Sequence, residues 1–63
     1  MLITKGDYMR ILLIEDELFY YKLIAPELKK AGYDLKYVRT GKKGLDTIPS
    51  YEPDMLIVDL RLP

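Results

Sequence analysis

Arg10-Ile11-Leu12-Leu13-Ile14-Glu15-Asp16-Glu17 is the stretch on which the fold of this chain turns. Its four consecutive aliphatic residues are too few for a helix of their own, and they do not alternate with polar ones. That pattern predicts a short strand buried on both faces, over residues 10–15. The strand runs directly into acid. A second run, Met55-Leu56-Ile57-Val58, ends the same way on Asp59 and is followed by Leu60-Arg61-Leu62-Pro63. If the two runs are parallel neighbours, their acids meet at the carboxyl edge of a sheet, where open α/β sheets bind ligands.

Outward from the first run, the period changes. From about residue 17 to residue 31, Tyr20, Leu23, Ile24, Leu28 and Ala31 fall on one helical face, with Lys22, Glu27, Lys29 and Lys30 mostly opposite. Glu17 suits the positive end of the helix dipole and Lys29-Lys30 the negative end. Gly32 supplies the stop. Pro26 is discordant, because inside a helix it removes a hydrogen bond and crowds the carbonyl of Lys22, at a cost of ~3 kcal/mol. A kink between Lys22 and Pro26, or a helix in two pieces, is therefore expected. Residues 33–38 alternate Tyr33, Leu35 and Tyr37 against Asp34 and Lys36, which suits an edge strand with one wetter face. Arg39-Thr40-Gly41 reads as a turn. A short helix over 42–48 is weakened by Gly44 and ended by Pro49, and residues 54–58 form the third strand. The order is β-α-β-α-β, with connections long enough for right-handed parallel crossovers. Residues 1–8 show no period and read as a flexible arm or an upstream extension, with Met9 as an alternative start and the domain proper over 9–63.

The chain has 63 residues, at most one small domain. Cysteine and histidine are both absent, which excludes disulfides and argues against zinc. Ten basic and ten acidic residues cancel, so bulk charge does not favour nucleic acid. No apolar stretch approaches a membrane span, and the N-terminus lacks the apolar core of a signal peptide. A soluble cytoplasmic protein is expected.

Taken together, the Ile-Leu-Leu-Ile-Glu-Asp-Glu run, Ala31-Gly32-Tyr33-Asp34-Leu35, Thr40-Gly41 with Gly44-Leu45, and Pro53-Asp54 leading to Asp59 and Pro63 resemble the start of a response-regulator receiver domain. The resemblance covers residues from about 9 to 63, the first half of such a domain. It implies a flavodoxin-like (CheY-like) fold, truncated to three parallel strands in the order 2-1-3. It further implies that Asp59 is the phosphoacceptor, that Glu15, Asp16 and Asp59 help bind Mg²⁺, and that the backbone carbonyl of Arg61 completes the protein's ligands. The implied partner is a sensor histidine kinase, and the implied process is two-component signalling. Glu17 follows at a variable position and is not assigned as a ligand. Full receivers continue with two further strands that carry a Ser or Thr, an aromatic switch residue and a lysine. None of these positions lies in the 63 residues, so the isolated chain is not expected to be a competent switch, nor an enzyme in the turnover sense.

The chemistry is reasonable on its own terms. Mg²⁺ prefers oxygen ligands and keeps several waters, so one or two carboxylates and a carbonyl suffice. A carboxylate can attack a phosphoryl group to give an acyl phosphate, with the metal relieving repulsion between anions. Asp16 could simply cap a helix. Arg39, Lys42 and Lys43 could touch phosphate, although a solvated turn explains them as well. Tyr20, Tyr33 and Tyr37 are expected to pack, with Tyr8, Tyr21 and Tyr51 partly exposed. A dinucleotide site fails because Glu-Asp-Glu stands where a glycine-rich loop should be. A dehalogenase-type phosphatase fails because neither Asp16 nor Asp59 has an Asp two residues on. The rival class is an interaction module: the outer edge of the third strand, aliphatic and unpaired, would recruit a second copy or another partner through residues 54–58.

Overall fold

The computed structural model describes residues 2–4 and 10–60, with side chains over 10–60. In chain order the elements are β1 (Leu2–Thr4), β2 (Arg10–Glu15), α1 (Leu18–Lys30), β3 (Asp34–Val38), α2 (Gly41–Tyr51) and β4 (Met55–Asp59). β2 is central. It pairs in parallel with β3 on one side and with β4 on the other, so the three parallel strands stand in the expected 2-1-3 order. The aliphatic run is buried on both faces: Ile11, Leu12 and Leu13 are 0% exposed. Each such side chain contributes about 2 kcal/mol of burial free energy, which concentrates the core on this one strand.

The helices lie on opposite faces of the sheet. Tyr37 of β3 stacks on Tyr21 of α1 with ring centroids 4.0 Å apart and planes at 15°. Its neighbour Val38 points the other way, toward Gly44 of α2. This is what right-handed crossovers require when they run in opposite directions across the sheet, from β2 to β3 and then from β3 past β2 to β4.

α1 is one continuous helix with Pro26 inside it, not a helix in two pieces. Both Pro26 and Lys22 are exposed, so the carbonyl that loses its donor lies on the water side, where solvent can replace the bond. The buried face is also rotated: Tyr21, Ile24, Ala25 and Leu28 turn inward, whereas Leu23 is 56% exposed. The C-terminus behaves as read. Gly32 takes φ +95°, its N–H donates to the Lys29 carbonyl, and the Tyr33 N–H donates to the Leu28 carbonyl, a Schellman closure.

α2 is longer than expected. It begins at Gly41, capped by Thr40, whose Oγ1 accepts the Lys43 N–H at 3.1 Å. It passes through Pro49 and ends at Glu52, which adopts the left-handed conformation at φ 51°. Gly44 does not break this helix. It lets α2 approach β2, since a Cβ there would overlap Ile14 Cδ1 and lie 2.9 Å from Ile14 Cγ1.

At the N-terminus, residues 2–4 are not a free arm. They form β1 and pair antiparallel with β4 in the register Leu2↔Ile57, Ile3↔Leu56 and Thr4↔Met55. The edge of β4 expected to be bare is therefore covered over Met55, Leu56 and Ile57, which removes the ground for pairing with another chain there. Residues 5–9, including Tyr8 and Met9, lie outside the described residues.

Candidate functional site

The parallel registers line up the strand ends. Val38, Ile14 and Val58 stand level across β3, β2 and β4, and one residue on, Glu15 is paired with Asp59. Partners in register on adjacent strands project to the same face, so the two carboxylates share one edge of the sheet. Their environments differ. Glu15 is 1% exposed, the one buried charged side chain among the described residues, whereas Asp59 is exposed and Asp16 half-buried.

Glu15 is held from the helix side: its Oε2 accepts the Glu17 N–H at 3.0 Å. Its Oε1 is buried and has no hydrogen-bond partner among the described residues. Burial pushes the Glu15 carboxyl above the usual glutamate range, and the neighbouring carboxyls of Asp59 and Asp16 push the same way, against the lowering effect of the Glu17 N–H. The carboxyls of Asp59 and Asp16 thus stand close enough to Glu15 to oppose its ionisation. The helix-cap reading of Asp16 does not hold. Glu17 is the N-cap of α1, in an extended conformation, and makes no side-chain cap bond.

Among the described residues no three acidic, thiol or imidazole groups already converge as a metal cage. Mg²⁺ does not need one, because it binds through one or two carboxylates and completes its shell with water. A buried carboxylate oxygen without a donor, in register with a second and exposed carboxylate, fits such an ion. Arg61, whose carbonyl was expected as a further ligand, lies outside the described residues.

The same edge carries a cation that the sequence reading treated as a solvated turn. Arg39 follows Val38 directly, which brings it to the level of Glu15, and its guanidinium donates to the Asp16 carbonyl at 3.3 Å. The clue in the sequence was the register, since a residue just past the second strand must neighbour the end of the first. Lys42 and Lys43 are exposed. Among the described residues no helix is long and apolar enough to cross a membrane.

No family model matches the chain. No solved structure matches it either. Among curated proteins it is 37% identical over 54 residues to the DNA-binding dual master transcriptional regulator RpaA of Synechocystis, a stretch covering 86% of this chain and 22% of that protein. It is 36% identical over 55 residues to the cell cycle transcriptional regulator CtrA of Caulobacter vibrioides, covering 87% of this chain and 24% of the other. To the transcriptional regulatory protein QseB of Escherichia coli O157:H7 it is 38% identical over 55 residues, covering 87% and 25%. The chain thus spans about a quarter of the length of these relatives. Over nearly all of its own length it is similar to one segment of bacterial transcriptional regulators.

Proposed function

We propose that this chain is the N-terminal part of a response-regulator receiver domain in a two-component system, and that Asp59 accepts a phosphoryl group from a sensor histidine kinase in the presence of Mg²⁺. The observation that carries this reading is the register pairing of Asp59 with the buried carboxyl of Glu15. The similarity to three bacterial regulators supports it, as does the three-stranded parallel unit in the order 2-1-3.

The division of labour follows from burial. Asp59, exposed at the end of β4, is the carboxylate an incoming donor can reach. One of its oxygens attacks phosphorus in line as the bond from phosphorus to the donor's imidazole nitrogen breaks, leaving an acyl phosphate on Asp59 and a free imidazole on the kinase. Glu15 is desolvated and fixed by the Glu17 N–H, so it presents a preorganised oxygen and is shielded from phosphorylation itself. Glu15, Asp16, Asp59 and the Arg61 carbonyl would hold Mg²⁺, which neutralises charge on the transferring oxygens. The domain assists its own phosphorylation and does not turn over a substrate, and this reading places it in the cytoplasm with its kinase.

The test is incubation of the full chain with Mg²⁺ and acetyl phosphate, followed by intact-mass analysis. The expected result is addition of one phosphoryl group that requires Mg²⁺ and is absent in Asp59→Asn. Folded protein that takes no label, or label that persists in Asp59→Asn, would refute the assignment.

A further inference from the structure

We infer that Arg39 is a positioning residue for this acidic site: by donating to the Asp16 carbonyl it ties the end of β3 to the β2–α1 connection and so sets the acid pair for a divalent cation. The inference rests on the reading of Glu15, Asp16 and Asp59 as metal ligands.

The argument is geometric. The connection from β2 to α1 consists of Asp16 and Glu17, and both neighbouring ligands depend on its path. Glu15 reaches back to the Glu17 N–H at 3.0 Å, which fixes the connection from the strand side. From the flanking strand it is fixed by Arg39, whose guanidinium meets the Asp16 carbonyl at 3.3 Å across 23 positions of sequence. Arg39 can reach because Val38 and Ile14 are paired in register, so the next residue of each strand stands side by side. Without this tie, the Asp16 carbonyl loses a donor and the connection is freer to shift, and the carboxylates of Glu15 and Asp16 with it. Groups that orient metal ligands from outside typically change metal affinity by 10–100-fold when removed.

Electrostatics alone points the other way. A guanidinium at the same sheet edge as the carboxylates opposes the binding of a cation, so deleting it should tighten metal binding if charge were its whole effect. The two accounts therefore differ in sign.

The experiment uses the full chain, Mn²⁺ as a paramagnetic stand-in for Mg²⁺, and loss of the free-ion electron paramagnetic resonance signal to measure affinity. Arg39→Met keeps the apolar stem and removes the donor; Arg39→Lys keeps a donor and the charge. In Arg39→Met, Mn²⁺ affinity is expected to fall about tenfold, with much of it regained in Arg39→Lys. In metal-free protein the Glu17 amide should exchange faster in Arg39→Met, while the Leu12 and Leu13 amides in the central strand keep their protection, which a general loss of stability would not do. Unchanged or tighter Mn²⁺ binding in Arg39→Met, or an unaltered Glu17 amide, overturns the inference. Mn²⁺ binding that is indifferent to both Glu15→Gln and Asp59→Asn would instead sink the metal-site reading, whatever the Glu17 amide does.

Discussion

Glu15 and Asp59 occupy equivalent positions at the ends of neighbouring strands, yet one is almost fully buried and the other exposed. On the proposed reading, that asymmetry suits them to different tasks, an oriented ligand and a reachable nucleophile. It also has a cost that pH can reveal. The Glu15 carboxyl titrates above 4.5 in the folded chain, chiefly because burial disfavours its charge. The native state therefore holds this proton more tightly than the unfolded state does, and Glu15's effect is to lower stability as pH rises from 4.5 through the raised value. In metal-free buffer the stability of Glu15→Gln relative to wild type should grow over that interval and level off above it. Thermal melts of the two proteins across pH measure the difference. A constant gap, or one that shrinks with rising pH, contradicts the assigned environment of Glu15.

At the scale of elements, the packing of α2 on β2 depends on Gly44. Replacing it with Ala should gain about 1 kcal/mol of helix propensity. The new methyl group, however, would overlap Ile14, which is 5% exposed and closely packed. Overpacking of this kind costs about 1–3 kcal/mol, so a net loss of stability is expected. Ile14→Val removes the Cδ1 atom that the methyl group meets first, so Gly44→Ala should be better tolerated in that background. Urea unfolding of the four proteins in the cycle checks this, and additive effects would mean the contact is not there. The same helix shows where sequence reading succeeds and where it stops. The aliphatic run of β2, the alternation of Leu35 and Tyr37, and the Gly32 stop were legible because each signal is local. The inward face of α1 was not, because Leu18, Phe19, Tyr20, Tyr21, Leu23, Ile24 and Ala25 place apolar atoms around much of the helix. The stacking of Tyr21 on Tyr37 accompanies the face that is buried, and that partner comes from another element. Pro26 was read as a kink or a break and Pro49 as a stop, yet the helices continue past both, where solvent or the helix end absorbs the missing bond. That the acids ending β2 and β4 share one sheet edge was legible in the sequence, whereas the contact of Arg39 with the Asp16 carbonyl needed the register of two strands.

For the whole molecule, the least expected feature is β1. Three residues with no periodic signature find a partner at the far end of the chain, and the four-stranded order becomes β1-β4-β2-β3. β1 covers the aliphatic edge of β4, while the opposite edge strand, β3, carries exposed Asp34 and Lys36, charges that discourage pairing with another chain. Deleting residues 1–8 should expose the β4 edge and produce concentration-dependent self-association in sedimentation velocity, with the full chain less associated at the same concentration. Equal sedimentation of both chains would mean that β1 does not guard this edge. On the proposed reading, the carboxyl edge of the sheet, where Glu15 and Asp59 stand in register, is the place where this molecule meets a ligand.

The central claim is that Glu15 and Asp59 serve one divalent ion, and its most direct measurement is site-resolved nuclear magnetic resonance of the full chain during addition of Mn²⁺. Paramagnetic broadening should strike the amides around Glu15, Asp16 and Asp59 together, at substoichiometric metal, and spare the opposite end of the strands around Arg10, Asp34 and Asp54. Broadening confined to only one of the two strand ends, or scattered over the surface acids, would contradict it.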